Sequence, residues 1–325
     1  MKSTASSEGC KPAVARADFD PAYTFNDGDL VLRSVDGTNF RVHSIILKLG
    51  SSVFRDMLDI PTGAPNTAER TKRELAKGPI IASEPASVLR ILLDILYPGA
   101  RHVFNVDVID SSDLLISLGL AARKYDMVSV IEGLCAFIVT RDAISHFHPV
   151  KLYGIAWDLG CTFEAIFLSA ETLRYNLNTP EVFTFLKETN TEGVIKLQIL
   201  HRRRKVLLLN ALHEMSGEPP YAPDVSDVVV PDHPLNTSIN FSANYCADPR
   251  TYYEDLSKSR LAWITLKYEI SKSMDEQTDG LPLTEFGGEF YAKSRFADIE
   301  SLVGLDVLSK EIARLLDMLP RHIDI

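Results

Sequence analysis

Apolar and polar residues alternate with a period of two early in the chain, and the period changes abruptly at His43. Leu30, Val31, Leu32 and Val35 are strand formers; Phe40 and Val42 point one way while Asn39 and Arg41 point the other. That pattern predicts a half-buried hairpin. Asp36-Gly37 lies between the two arms and predicts a tight primed turn, with Gly37 at positive φ. Beyond His43 the spacing is helical. Ile45, Ile46 and Leu49 fit a short helix that Gly50 ends, and Ser51 is placed to cap a second helix carrying Val53, Phe54, Met57 and Leu58.

The pattern then reads almost wholly helical. Pro79-Ile80-Ile81 predicts a short strand, and Ser83 is placed to cap a helix with Pro85 in its first turn. That helix carries Val88, Leu89, Leu92, Leu93, Ile95 and Leu96, apolar on most sides, and should be deeply buried. Two more helices follow, one striped by Leu114, Leu115, Leu118, Ala121 and Ala122, the other by Val128, Ile131, Leu134 and Ile138. From Arg141 to Ser216 helices are opened by Pro149, Thr179-Pro180 and Thr191. Further helices are expected after Pro249 and from Leu305 to Leu319. Residues 1–17 are small and polar and predict disorder. Gly217 to Pro234 is rich in proline, which blocks helix and central strand, and predicts a linker.

Charge narrows the functional classes. A net charge of -10 argues against general nucleic-acid binding, which needs a basic face. Cys10, Cys135, Cys161 and Cys246 lie far apart with no C-x-x-C pair, so they read as reduced thiols and not as a disulfide framework or zinc site. Met1 to Ala17 has no apolar signal region, and no segment approaches the ~20 apolar residues of a membrane span. An intracellular protein, in cytoplasm or nucleus and away from membranes, is expected.

Candidate chemistry is sparse. His43 stands at a strand-to-helix junction without a carboxylate and nucleophile at catalytic spacing, which favours a structural role bonding the turn. His146 and His148 beside Cys161 lack a fourth ligand. No G-x-S-x-G, P-loop or G-x-G-x-x-G occurs. The dense basic run His201-Arg202-Arg203-Arg204-Lys205 spreads around more than one helical face and predicts a solvated, salt-bridged surface. No catalytic residue, metal or cofactor is expected. The rival class, an enzyme with an unfamiliar site, would use the C-terminal cluster Glu285, Glu289, Tyr291 and Asp298.

The ordered set Asp29, Asp36-Gly37, Phe40, His43, Leu47, Ser51 and Phe54 resembles the BTB/POZ domain. The resemblance covers about 20–140 and implies an α+β fold: a small sheet with helical hairpins over 18–140. An all-α region over 141–216 would follow, reminiscent of the helical BACK region. Its run from Leu152 to Cys161 also looks like helices that follow BTB domains in mushroom-type fungi. A linker over 217–234 and a mainly helical region over 235–325 would complete the chain. In the family, Lys or Arg often follows the His; here Ser44 stands there, which can bond Asp29 but not neutralise it, so a capping or turn role is expected for Asp29. The resemblance further implies a non-enzymatic module that binds protein partners, itself among them as a homodimer. The contact element would be the helix pair after His43, with Ile46, Leu49 and Val53 supplying apolar area and Lys48 and Arg55 the rim charges. Many family members are substrate adaptors of cullin-based ubiquitin ligases. Those carry an apolar-x-Glu motif after the Phe-containing helix, where this chain has Asp59-Ile60-Pro61.

Overall fold

The hairpin forms around Asp36. In the computed structural model, which describes residues 18–59, 78–97, 104–216, 249–285, 288–292, 296 and 304–324, strands β2 (Leu30–Arg33) and β3 (Asn39–Val42) pair antiparallel. Leu30 faces Val42 and Leu32 faces Phe40 across the ladder, and all four are buried. The period-2 pattern thus becomes one dry face. Strand β1 (Phe19–Thr24) joins β3 and β4 (Ile80–Ile81) joins β2, both parallel, giving the order β1-β3-β2-β4.

The turn differs from the primed form expected. Gly37 N–H donates to Ser34 O at 3.0 Å, so Val35 and Asp36 are the central residues and Gly37 closes the turn at φ 90°. Asp36 is not at positive φ, as a primed turn would require. Both of its carboxylate oxygens are bonded: Oδ1 accepts from Ser34 Oγ, and Oδ2 accepts from Ala86 N at 3.0 Å.

Among the described residues, five helices complete this first unit: α1 (Ser44–Gly50), α2 (Ser52–Asp59), α3 (Ala86–Leu96), α4 (Ser112–Lys124) and α5 (Val128–Ile138). Asp36 thereby holds the first N–H of α3, the place expected for Ser83, because Pro85 occupies the cap position and brings no side-chain acceptor. Ser51 Oγ accepts from Phe54 N at 3.0 Å and caps α2. Phe54 is buried and stacks on Tyr125, ring centres 4.8 Å apart.

Contacts divide the chain into Met1–Phe137 and Ile138–Ile325. The described part of the second unit is helical: α6 (Arg141–His146), α7 (Pro149–Leu159), α8 (Thr162–Thr172), α9 (Pro180–Glu188), α10 (Thr191–Met215), α11 (Pro249–Glu276), a 3-10 turn (Leu281–Leu283) and α12 (Leu305–Met318). Gly160, at φ 74°, stops α7 as a left-handed cap. One core joins α10 (Leu208, Leu212), α11 (Trp263, Ile270) and α12 (Leu308, Ile312), so the last helices pack on the α10 helix. The expected tail over 1–17 and linker over 217–234 lie outside the described residues. With a small sheet in the first unit and helices in the described part of the second, the chain is α+β.

Two expectations are corrected in this helical architecture. Cys135, in the first unit, and Cys161, in the second, are each buried and each disulfide-bonded, where reduced thiols were expected. Spacing along a chain does not report the oxidation state of its thiols. The basic run is the expected salt-bridged surface only in part. Arg203 pairs with Asp324 and Lys205 with Asp275, each at 2.7 Å, but His201 and Arg204 turn inward. Consecutive residues on a helix point about 100° apart, so a five-residue run must send some members to the buried side.

Candidate functional site

The junction from β3 to α1 is built from side chains that hold backbone. Asp29 receives Ser44 N–H on one carboxylate oxygen and Ser44 Oγ–H on the other, both at 2.6 Å. A charge-assisted pair of this kind pins the first residue of α1. His43 occupies the N-cap position but makes no side-chain cap bond. Instead, Tyr97 Oη accepts from His43 N–H at 2.8 Å and lies 3.0 Å from His43 Nδ1. The other ring nitrogen, Nε2, lies 3.3 Å from Asp27. Phe25 stacks on Tyr97 with centres 5.2 Å apart, and Tyr23 and Phe40 extend the ring cluster. Burial pushes the Tyr97 hydroxyl above its ordinary range, so it stays protonated. His43 thus ties a strand end to the residue that follows α3.

With α1 anchored, its two sides separate. Leu47 is fully buried. Leu49 is 78% exposed and Ile45, one turn earlier, 58%. On α2, Val53 and Met57 repeat the spacing and are also exposed, while Phe54 and Leu58 face inward. The expected set Ile46, Leu49 and Val53 therefore shifts: Ile46 is half-buried, and Ile45 and Met57 belong with the exposed members. Both were visible in the sequence only as members of apolar stripes. Which member of a stripe faces solvent depends on the helix's rotation against the sheet. Of the expected rim charges, Arg55 is exposed, whereas Lys48 is held by Asp59 at 2.6 Å.

Residues 24–142 match the family model of the BTB/POZ domain. The chain carries a BTB/POZ domain. No curated protein and no solved structure matches the chain. Of the family's pattern, Asp29, Asp36, Gly37, Phe40, His43, Leu47, Ser51 and Phe54 all fall inside the matched range. In three dimensions they serve the BTB/POZ unit as core (Phe40, Leu47, Phe54), turn (Gly37) or backbone holders (Asp29, Asp36, His43, Ser51). The domain is generally a protein–protein interaction module.

The other candidates have separate surroundings among the described residues. His148 Nδ1 accepts from Val150 N at 3.2 Å and its ring packs on Tyr175 and Phe185; burial holds its pKa below the usual value. His146 packs edge-on against Phe147. In the C-terminal cluster, Tyr291 is a core residue whose hydroxyl donates to Leu283 O at 2.7 Å, and burial pushes its pKa up. Glu285 and Glu289 are exposed, and Asp298 lies outside the described residues. Among the described residues, no helix is long and apolar enough to cross a membrane.

Proposed function

We propose that the BTB/POZ unit is a self-associating interaction module whose contact face is the outer side of α1 and α2. One observation carries this: Leu49 is 78% exposed on a helix whose Leu47 is fully buried, with Ile45, Val53 and Met57 exposed on the same helix pair. Fully covering a leucine stabilises an association by about 1.5–3 kcal/mol, and a cluster of such residues on consecutive turns marks an interface more than a monomer surface. The partner in this reading is a second copy of the chain; Lys48, Arg55 and Asp59 border the face. The unit acts by binding and performs no catalysis, at an intracellular location. A second reading, a substrate adaptor for a cullin-based ligase, uses the same unit and rests on the family alone.

The test is Leu49→Glu in the full chain, measured by sedimentation with circular dichroism as folding control. A shift from dimer to folded monomer is expected, since an unpaired carboxylate in the contact costs several kcal/mol of association. Wild type that stays monomeric at tens of micromolar would sink self-association. Retention of a purified cullin by that monomer would then favour the adaptor reading.

A further inference from the structure

After α12 the chain runs through Leu319 to Asp324 without forming helix or strand. It lies across α8 and α10, and its backbone is bonded along its length. Arg204 Nη1 donates to Pro320 O at 2.8 Å and to Leu319 O at 3.4 Å. Ile323 N–H donates to Ser169 Oγ at 3.1 Å, and Lys196 Nζ donates to Asp324 O at 3.0 Å. Side chains add two more contacts: His322 Nδ1 lies 3.1 Å from Ile166 O, and the Asp324 carboxylate meets Arg203 at 2.7 Å.

The arrangement is that of a peptide in a groove. Ile323 is the one deeply buried side chain of 320–324, while Arg321, His322 and Asp324 remain exposed. Its N–H is received by Ser169, a fully buried hydroxyl that also donates to Ile166 O at 2.6 Å. Donors from α10 read backbone carbonyls on both sides of the anchor, and two cations meet the residue after it. Main-chain bonds supplying affinity, with one pocket and one charge supplying selectivity, is how short extended segments are recognised.

We propose that the α8–α10 groove is a peptide-docking site held in cis by residues 319–324, and that it accepts in trans an extended peptide with a branched aliphatic anchor followed by an acidic residue. The cis segment competes as a tethered ligand at millimolar effective concentration, so a free peptide binds well only when the segment is released. This site is independent of the α1–α2 face.

The experiment uses fluorescence anisotropy with a labelled peptide copying residues 319–325. Full-length Ile323→Asp, which expels the anchor, should bind it at least tenfold more tightly than wild type. The same peptide carrying Ile323→Asp should not bind. Adding Arg203→Glu to the released chain should weaken binding several-fold, and a peptide carrying Asp324→Lys should recover part of the loss. A folded Ile323→Asp chain that binds no better than wild type overturns the proposal, as does wild type already binding as tightly as the variant. Should Ile323→Asp lose its helical circular dichroism, Asp324→Lys replaces it. That exposed change loosens the segment by one ion pair; it should raise peptide binding several-fold, and no gain would equally overturn the site.

Discussion

Asp36 in the BTB/POZ unit and Arg204 in the helical unit each hold the end of a helix, under opposite conditions. Asp36 is exposed, bonds Ser34 within its own turn, and reaches one N–H of α3. Arg204 is 2% exposed and its guanidinium donates to four carbonyls: Thr278 and Asp279 beyond α11, Leu319 and Pro320 beyond α12. Burial lowers its pKa to about 10, so it stays charged at neutral pH. Beside it, His201 bridges Thr172 and Thr278 through its two ring nitrogens, and burial pushes its pKa down to about 3. The first unit thus starts α3 with a surface carboxylate. The second fastens three helices with buried nitrogen groups. Surface caps are individually modest and tolerant, whereas a buried cation joining remote segments makes a unit depend on single residues.

The largest expected effect breaks the second half of that contrast. Arg204→Met should destabilise the helical unit by about 3–5 kcal/mol, because it strands several buried carbonyls without donors. Trp157 and Trp263 both belong to this unit, so tryptophan fluorescence in a denaturant titration reads its unfolding. A loss under about 1 kcal/mol would mean that water replaces the guanidinium and the fastening is dispensable.

A medium effect sharpens the contrast through pH. The folded His201 pKa is depressed, so the neutral ring contributes stability that is fully present above the unfolded value near 6.5. That contribution is lost progressively as pH falls toward about 3. The slope should approach ~1.4 kcal/mol per pH unit within that window. His201→Gln should flatten it while lowering stability at pH 7. The BTB/POZ unit should respond only at lower pH. Its Asp36 is held below the usual carboxylate range by the bonds from Ser34 and Ala86. At Glu84, burial opposes ionisation but the bonds from Lys124 and Tyr125 outweigh it, leaving a net depression. Both contributions are present above the unfolded carboxylate values and fade below them. Acid should therefore open the tryptophan-bearing unit first. Amide exchange showing α3 and α4 losing protection before α10 would reverse the order.

The smallest effect concerns the surface cap. Asp36→Ala should cost about 0.5–2 kcal/mol, as loss of a helix cap does, and should raise amide exchange at the start of α3. An effect as large as that of Arg204→Met would erase the distinction between the units.

From the sequence alone the hairpin was legible, because Leu30, Leu32, Phe40 and Val42 alternate and a one-residue slip would turn all four into water. So was the change to helix after His43 and the order of most helices, since capping residues and apolar spacing act within a few positions. Only the tertiary structure decided the rest. It made Asp36 the cap of α3 and turned Ile45 and Met57 outward where Ile46 half-buries. It drew His201 and Arg204 out of a basic run into the interior, and it laid residues 319–324 against Ser169 and Lys196. The bonds among them join residues 29 to 154 positions apart. A periodic pattern records which side of an element is apolar; it carries no record of what that side, or a polar residue within it, will meet.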